Sequence, residues 1–190
     1  MIWNIHGVMY PVAPNELGHS ENRSPYNISM SDFIKIFATS HERIGILKGL
    51  LAYRAALYSV NVMHGFQWIN GSFTENVELL RGRPPSDVDV VTFANMLDTI
   101  PDYSSWAMEN CLLFDPSEMK DAYKVDCYWV DLDLGFNAHT VERCTYWYSM
   151  WSHQKVTDLW KGFFCIPLSP SEDLSAQNIL AEINIEKDNA

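Results

Sequence analysis

Basic residues are scarce in this chain of 190: Lys and Arg number 13 against 24 Asp and Glu, for a formal charge of −11 at pH 7. That balance argues against an extended nucleic-acid surface, because non-specific affinity comes from Lys and Arg neutralising phosphates. It leaves room for a small basic pocket that takes a single nucleotide. Cysteine is also sparse. Cys111, Cys127, Cys144 and Cys165 stand far apart with no Cys-x-x-Cys pair, so neither a zinc knuckle nor a redox motif is visible, and they read as buried thiols in a reducing compartment. No window approaches ~18 consecutive apolar residues, so no membrane span is expected. The opening stretch MIWNIHGVMYPVAP has no basic segment and no long apolar run, which makes a signal peptide unexpected. The chain therefore reads as soluble and cytoplasmic. Repeats and low-complexity runs are missing, and without a Gly-x-Ser-x-Gly elbow a serine nucleophile has no support. The six histidines (His6, His19, His41, His64, His139 and His153) show no metal-ligand spacing.

What is present is an ordinary globular composition, 47% apolar and 19% charged. Residues 1–30, rich in Pro, Asn, Ser and Gly, read as an arm pinned by Trp3, Ile5, Val8 and Tyr10. From Ser31 a short helix presents Phe33, Ile36 and Phe37. Thr39 with Glu42 has the form of a capping box, followed by a helix whose face carries Ile44, Leu47, Leu51, Ala55 and Tyr58, ending near Asn61. Phe66–Asn70 reads as a strand, Phe73–Leu80 as a helix broken by Arg81-Gly82-Arg83-Pro84-Pro85, and Asp87–Phe93 as a strand. Residues 94–116 read as mostly helical with breaks at Pro101 and Pro116, Tyr123–Val130 as a strand, His139–Trp151 as an aromatic-rich helix, and Gly162–Leu168 as a last strand. A helix after Ser169 places Ala176, Ile179, Leu180 and Ile183 on one face before fraying into EKDNA. The organisation expected is an arm (1–30), an α/β or α+β domain with a small mixed sheet backed by helices (31–168), and a C-terminal helix and tail (169–190).

The chemistry concentrates in one segment. Asp87 and Asp89 flank Val88 in a strand, so both carboxylates point the same way, with Cα atoms roughly 6.6 Å apart at ~3.3 Å per residue. Such a pair repels itself in a bare core and becomes favourable around a divalent cation. Just upstream, Gly71-Ser72 joins a strand end to a helix start, where unpaired N–H groups suit phosphate. Together the two devices could hold a metal-bound triphosphate. Plainer roles stand beside these. Ser72-x-x-Glu75 is also a capping box, the acidic pair could be a solvated strand end, Arg81 and Arg83 could belong to a solvated loop, and Lys161 could be an ordinary surface lysine. Tyr146, Trp147, Tyr148 and Trp151 could stack a nucleobase, but at helical spacing they read as core.

Gly71-Ser72 followed by Asp87-x-Asp89 resembles the signature of the polymerase-beta-type nucleotidyltransferase superfamily. The wider pattern is similar to a family of short bacterial nucleotidyltransferase-like proteins. It includes the Trp68-Ile69-Asn70-Gly71-Ser72-Phe73 turn, Pro85-Ser86-Asp87-Val88-Asp89-Val90-Val91, a Val-Asp strand and Lys161-Gly162, across roughly Asp32–Leu168. The resemblance implies a third acid, best matched by Asp126 and less well by Asp131 or Asp133. It implies two Mg²⁺ ions held by Asp87, Asp89 and Asp126, an NTP such as ATP, and transfer of an NMP to a hydroxyl on a small molecule, RNA or protein. Gly71, Ser72, Arg81, Arg83, Lys124 and Lys161 are the candidates for nucleotide binding. The gap from Ser72 to Asp87 exceeds the usual spacing. The chain leaves no room for a large acceptor domain, so a protein partner or second copy is expected to share that site. A toxin–antitoxin or phage-defence setting is implied by resemblance alone. A catalytically inactive binding or regulatory module and metal-assisted hydrolysis are the competing expectations.

Overall fold

The computed structural model describes residues 2–96, 100 and 102–188. A mixed sheet of five strands forms the centre: β1 (Tyr26–Asn27), β2 (His64–Asn70), β3 (Val88–Asn95), β4 (Val125–Asp131) and β5 (Phe164–Pro167). Their spatial order is β1-β5-β2-β3-β4. β2 runs antiparallel to both neighbours, and the β3/β4 and β1/β5 pairs are parallel. The α/β expectation of a small mixed sheet backed by helices holds.

Alternation along the strands sends each face to a different core. Val88, Val90, Val125, Cys127, Ile69, Phe164 and Ile166 join the main core with α1 (Met30–Phe37), α2 (His41–Ser59) and α7 (Pro170–Asp188). On the opposite face Val91, Phe93 and Val130 pack with Phe163 and with Trp147 and Trp151 of α6 (Ala138–Trp151). Of the aromatic cluster on this helix, Trp147 and Trp151 are core and Tyr148 packs against them, while Tyr146 is exposed. Among the described residues no helix is long and apolar enough to cross a membrane.

Several local expectations are corrected. Of the expected arm anchors, Val8 is buried and Trp3 packs against the main core, while Ile5 is 93% exposed. The arm also supplies β1, whose Tyr26 accepts its place beside Phe164 on the sheet edge. Thr39 does not cap α2. Its N–H is used in closing the turn after α1, by donating to the Phe37 carbonyl. Ser40 is then the first extended residue, and its Oγ accepts the Arg43 N–H. Ala55 is exposed, and Arg54 takes the inward position instead. Arg54 is fully buried, and its guanidinium donates to Asp173 of α7 at 2.6 and 3.0 Å and to Gln67 at 2.8 Å.

The expected helix over Phe73–Leu80 is interrupted. A single 3₁₀ turn spans Ser72–Thr74, Glu75 is extended, and α3 covers only Val77–Arg81. The break has two ties: the Glu75 carboxylate is drawn to Lys161, and the Asn76 N–H donates to the arm's Gly7 carbonyl. Pro116 does not break a helix. With Asp115 as N-cap it opens α5 (Pro116–Tyr123), because a first-turn proline has no helical N–H to lose. α4 (Tyr103–Glu109) precedes it, and the residues just after Phe93 finish β3. Tyr123 belongs to α5 and Lys124 turns left-handed at φ 59°, so β4 starts at Val125. The break expected at Pro101 lies outside the described residues.

Candidate functional site

The β3/β4 ladder decides the geometry. Being parallel, it sets Val88 beside Val125 and Asp89 beside Asp126. Both strands therefore open at the same end of the sheet and turn the same faces together. The valines enter the main core, and Asp89 and Asp126 face the α6 side. Asp87, two residues before Asp89, shares its face. The three carboxylates line one cleft of about 810 Å³.

β2 ends at the same place. Its last residue, Asn70, pairs with Asp89, and the chain leaves the sheet through Gly71 at φ 84°. A Cβ at Gly71 would sit 1.7 Å from Asp89 Oδ2, so only glycine lets this turn lie against the carboxylate. Asn70 Nδ2 donates to the Trp151 carbonyl at 3.0 Å, and the Thr74 hydroxyl donates to Asn70 Oδ1 at 3.1 Å. Ser72 lines the cleft, but its side chain makes no cap and the turn it opens is too short to act as a helix terminus. The expected phosphate-binding helix N-terminus is therefore absent at this position. The Ser72/Glu75 capping box does not form either, since Glu75 turns away.

Glu75 turns toward Lys161. Both side chains are almost fully buried, with Nζ 2.7 Å from Glu75 Oε1 and 3.2 Å from the Gly71 carbonyl. Gln154 donates to the other Glu75 oxygen at 3.0 Å, and Arg81 lies 3.7 Å from it. Lys161 is thus no surface residue: it ties the glycine turn to the segment after α6. Burial holds its pKa below the usual lysine value, while Glu75 and Asp89 oppose that shift.

The acids are unequal. Burial, then the Asp87 and Asp126 carboxylates, lift Asp89 from 3.8 to about 6, against the pull of Lys161 and Lys120. Asp87 and Asp126 have a partner that the sequence reading missed. Lys120 of α5 places Nζ 2.5 Å from Asp87 Oδ2 and 3.5 Å from Asp126 Oδ2. Its hydrogen bond to Asp87 raises its pKa. Tyr128, two residues past Asp126 on the same face, also lines the cleft; burial and Asp126 push its phenol up to about 12.

Of the expected phosphate-binding residues, Gly71, Ser72, Arg81, Arg83 and Lys161 line the cleft. Arg83 is exposed and donates to its neighbour's Pro84 carbonyl at 3.1 Å. Lys124 is not among the cleft residues. It is the exposed left-handed cap of α5, with its Nζ near Gly45 of α2, because the tight turn into β4 swings it off the acidic face. Missed contributors are Lys120, which contacts two of the acids, and Glu75, Tyr128 and the segment 152–158, which with Ser149, Met150 and the already considered Trp151 supplies the far wall. Lys120 had one available signal: Asp115-Pro116 is a helix-opening pair, and a helix begun there ends just before the Asp126 strand.

Three carboxylates form an all-oxygen donor set of the kind Mg²⁺ prefers. The Lys120 ammonium acts as a stand-in cation between two of them, and Gly71 keeps a side chain out of the space beside Asp89. As arranged, among the described residues no group of three or more His, Cys, Asp or Glu is poised to hold a metal ion; Asp87 and Asp126 close on the lysine instead. A family model described as a family of unknown function (DUF6932) matches residues 3–167. No curated protein and no solved structure matches the chain.

Proposed function

The chain belongs to the family of unknown function DUF6932, which assigns it no activity, and we propose from its own side chains a metal-dependent nucleotidyltransferase of the polymerase-beta type. It would move an NMP from an NTP to a hydroxyl of a small molecule, RNA or protein in the cytoplasm. The observation that carries this reading is the in-register pairing of Asp89 with Asp126, on the face shared by Asp87 and against the Gly71 turn. A cleft of about 810 Å³ falls within the ~300–1,000 Å³ range of small-molecule sites.

Asp87, Asp89 and Asp126 would hold two Mg²⁺ ions, which supply charge for the α-phosphate and acidify the acceptor hydroxyl. Asp126, more exposed than Asp87 at 20% against 12%, accepts the hydroxyl proton. Lys161 fixes the Gly71 carbonyl, so the turn keeps its shape beside Asp89 while the triphosphate docks. Arg81 and Arg83, at the cleft rim, neutralise the departing pyrophosphate. The acceptor site would be completed by a protein partner or a second copy.

The test is a thermal shift with each NTP and Mg²⁺, on wild type and on Asp87→Asn/Asp89→Asn, coupled to pyrophosphate release from labelled NTP in a cell extract. A wild-type shift that the double variant loses, with label transferred to an acceptor, supports the reading. Absence of any NTP-dependent shift overturns it. One observation favours a second reading, an inactive binding or regulatory module: the lysine between Asp87 and Asp126. That reading expects nucleotide-dependent stabilisation with no pyrophosphate release.

A further inference from the structure

We propose that Lys120 is an internal counter-ion that closes the acidic trio in the metal-free protein and must swing out for a divalent cation to enter. The inference rests on reading that trio as a metal centre. Its basis is the contrast between two lysines at one site. Lys161 is enclosed, contacts Glu75 and the Gly71 carbonyl, and cannot leave without stranding a buried carboxylate. Lys120 joins Asp87 to Asp126 across two segments, yet its side chain is 47% exposed on α5. An exposed ammonium gives up such a contact for water at little cost.

The ammonium uses the oxygens a metal would need. Lysine and dication cannot both sit there, because each would repel the other at contact distance. Asp89, level with Asp126 in the ladder and close against the Gly71 turn, stands outside the Lys120 bridge. Metal-free, the chain tolerates three clustered acids because Lys120 neutralises part of their charge. Metal-loaded, the freed Lys120 hangs at the cleft edge. Apparent metal affinity is therefore lowered by the lysine's own occupancy, as for any closed state that must open before binding.

Two measurements on the full chain test this, with Mn²⁺ alone as the probe. By calorimetry or Mn²⁺ paramagnetic resonance, Lys120→Met should bind Mn²⁺ about fivefold or more tightly than wild type. Lys35→Met, which removes the same charge from α1, should leave affinity within about twofold. On wild type, amine acylation read by mass spectrometry should find Lys120 slow to react without metal and faster with saturating Mn²⁺, while Lys161 stays protected. This second measurement does not depend on any variant folding. If wild type binds Mn²⁺ but Lys120→Met binds no tighter and Lys120 acylation ignores the metal, the counter-ion proposal falls and the metal centre stands. If none of the three proteins binds Mn²⁺, the metal-centre reading falls and takes this inference with it.

Discussion

Replacing Asp89 with Asn should make the metal-free protein more stable at and above neutral pH and flatten its pH dependence. In the fold the Asp89 carboxyl is lifted from 3.8 to about 6 by burial, then by Asp87 and Asp126. A folded-state pKa above the unfolded value means the native state binds more protons between those two values, so stability falls as pH rises through that window. Above it the full penalty applies. At ~1.36 kcal/mol per pH unit, the rise from 3.8 to about 6 amounts to about 3 kcal/mol. For a chain of this size, ~2–4 °C per kcal/mol turns that into roughly 6–12 °C. Asn keeps the shape of the side chain and removes the charge. The assay is thermal or urea unfolding in EDTA from about pH 4 to about pH 8, on wild type and Asp89→Asn. The wild-type midpoint should drop across the window, the variant's should drop much less, and the curves should separate toward alkaline pH. Parallel curves over the whole range would refute the claim that Asp89 is a largely desolvated carboxylate repelled by its neighbours. Added Mg²⁺ should then reverse the ranking by stabilising wild type alone.

Gly71→Ala should lose ~1–2 kcal/mol from the left-handed backbone alone, and more because its Cβ meets Asp89 Oδ2, with the nucleotide-dependent shift lost; Gly82→Ala, at φ 62° with open space around it, should lose only the backbone part. A smaller loss at Gly71 than at Gly82 would contradict the close approach. Lys161→Met leaves Glu75 buried without its main partner and should cost ~3–5 kcal/mol, and adding Glu75→Gln should recover much of it in a double-mutant cycle; strictly additive effects would deny the coupling. Arg54→Met leaves Asp173 with the Tyr58 hydroxyl but no cation and should cost ~3–5 kcal/mol, with amide exchange accelerating first in α7; uniform acceleration across the sheet would deny that this pair docks the helix.

The strands carrying the acids were legible because burial on one face alternates with chemistry on the other. That alternation is confined to the strand openings, Asp87-Val88-Asp89 and Val125-Asp126-Cys127; beyond Asp89 the strand is buried on both faces and is legible from its β-branched and apolar residues, and the parallel ladder brings Asp89 and Asp126 side by side. The glycine–serine turn was legible as a turn and misread as the start of a helix. The interruption depends on Glu75 finding Lys161, 86 residues further along, and on Asn76 finding Gly7. No local pattern contains either contact. For the same reason α2 was centred one residue off: Arg54 breaks the apolar spacing, and only Asp173 on a helix far along the chain explains how its charge enters the core. Ser40 displaced Thr39 as the cap for a nearer cause, the turn that closes α1. β1 was missed because two residues of strand have no period to detect.

The site's electrostatics follow from a topological choice. Parallel neighbours cannot be joined by a tight turn, so a crossover must return the chain from the far end of β3 to the start of β4. The last element of that crossover, α5, necessarily ends beside the strand openings where Asp87, Asp89 and Asp126 collect. Lys120 lies in its last turn, near the helix carboxyl end that favours a cation, and from there its side chain reaches both Asp87 and Asp126. The crossover that aligns Asp126 with Asp89 thus also delivers the charge that keeps the cluster tolerable. An acid from an antiparallel hairpin would arrive without such an element. On this argument, Lys120 owes its place in the site to the parallel ladder as much as to its own helix.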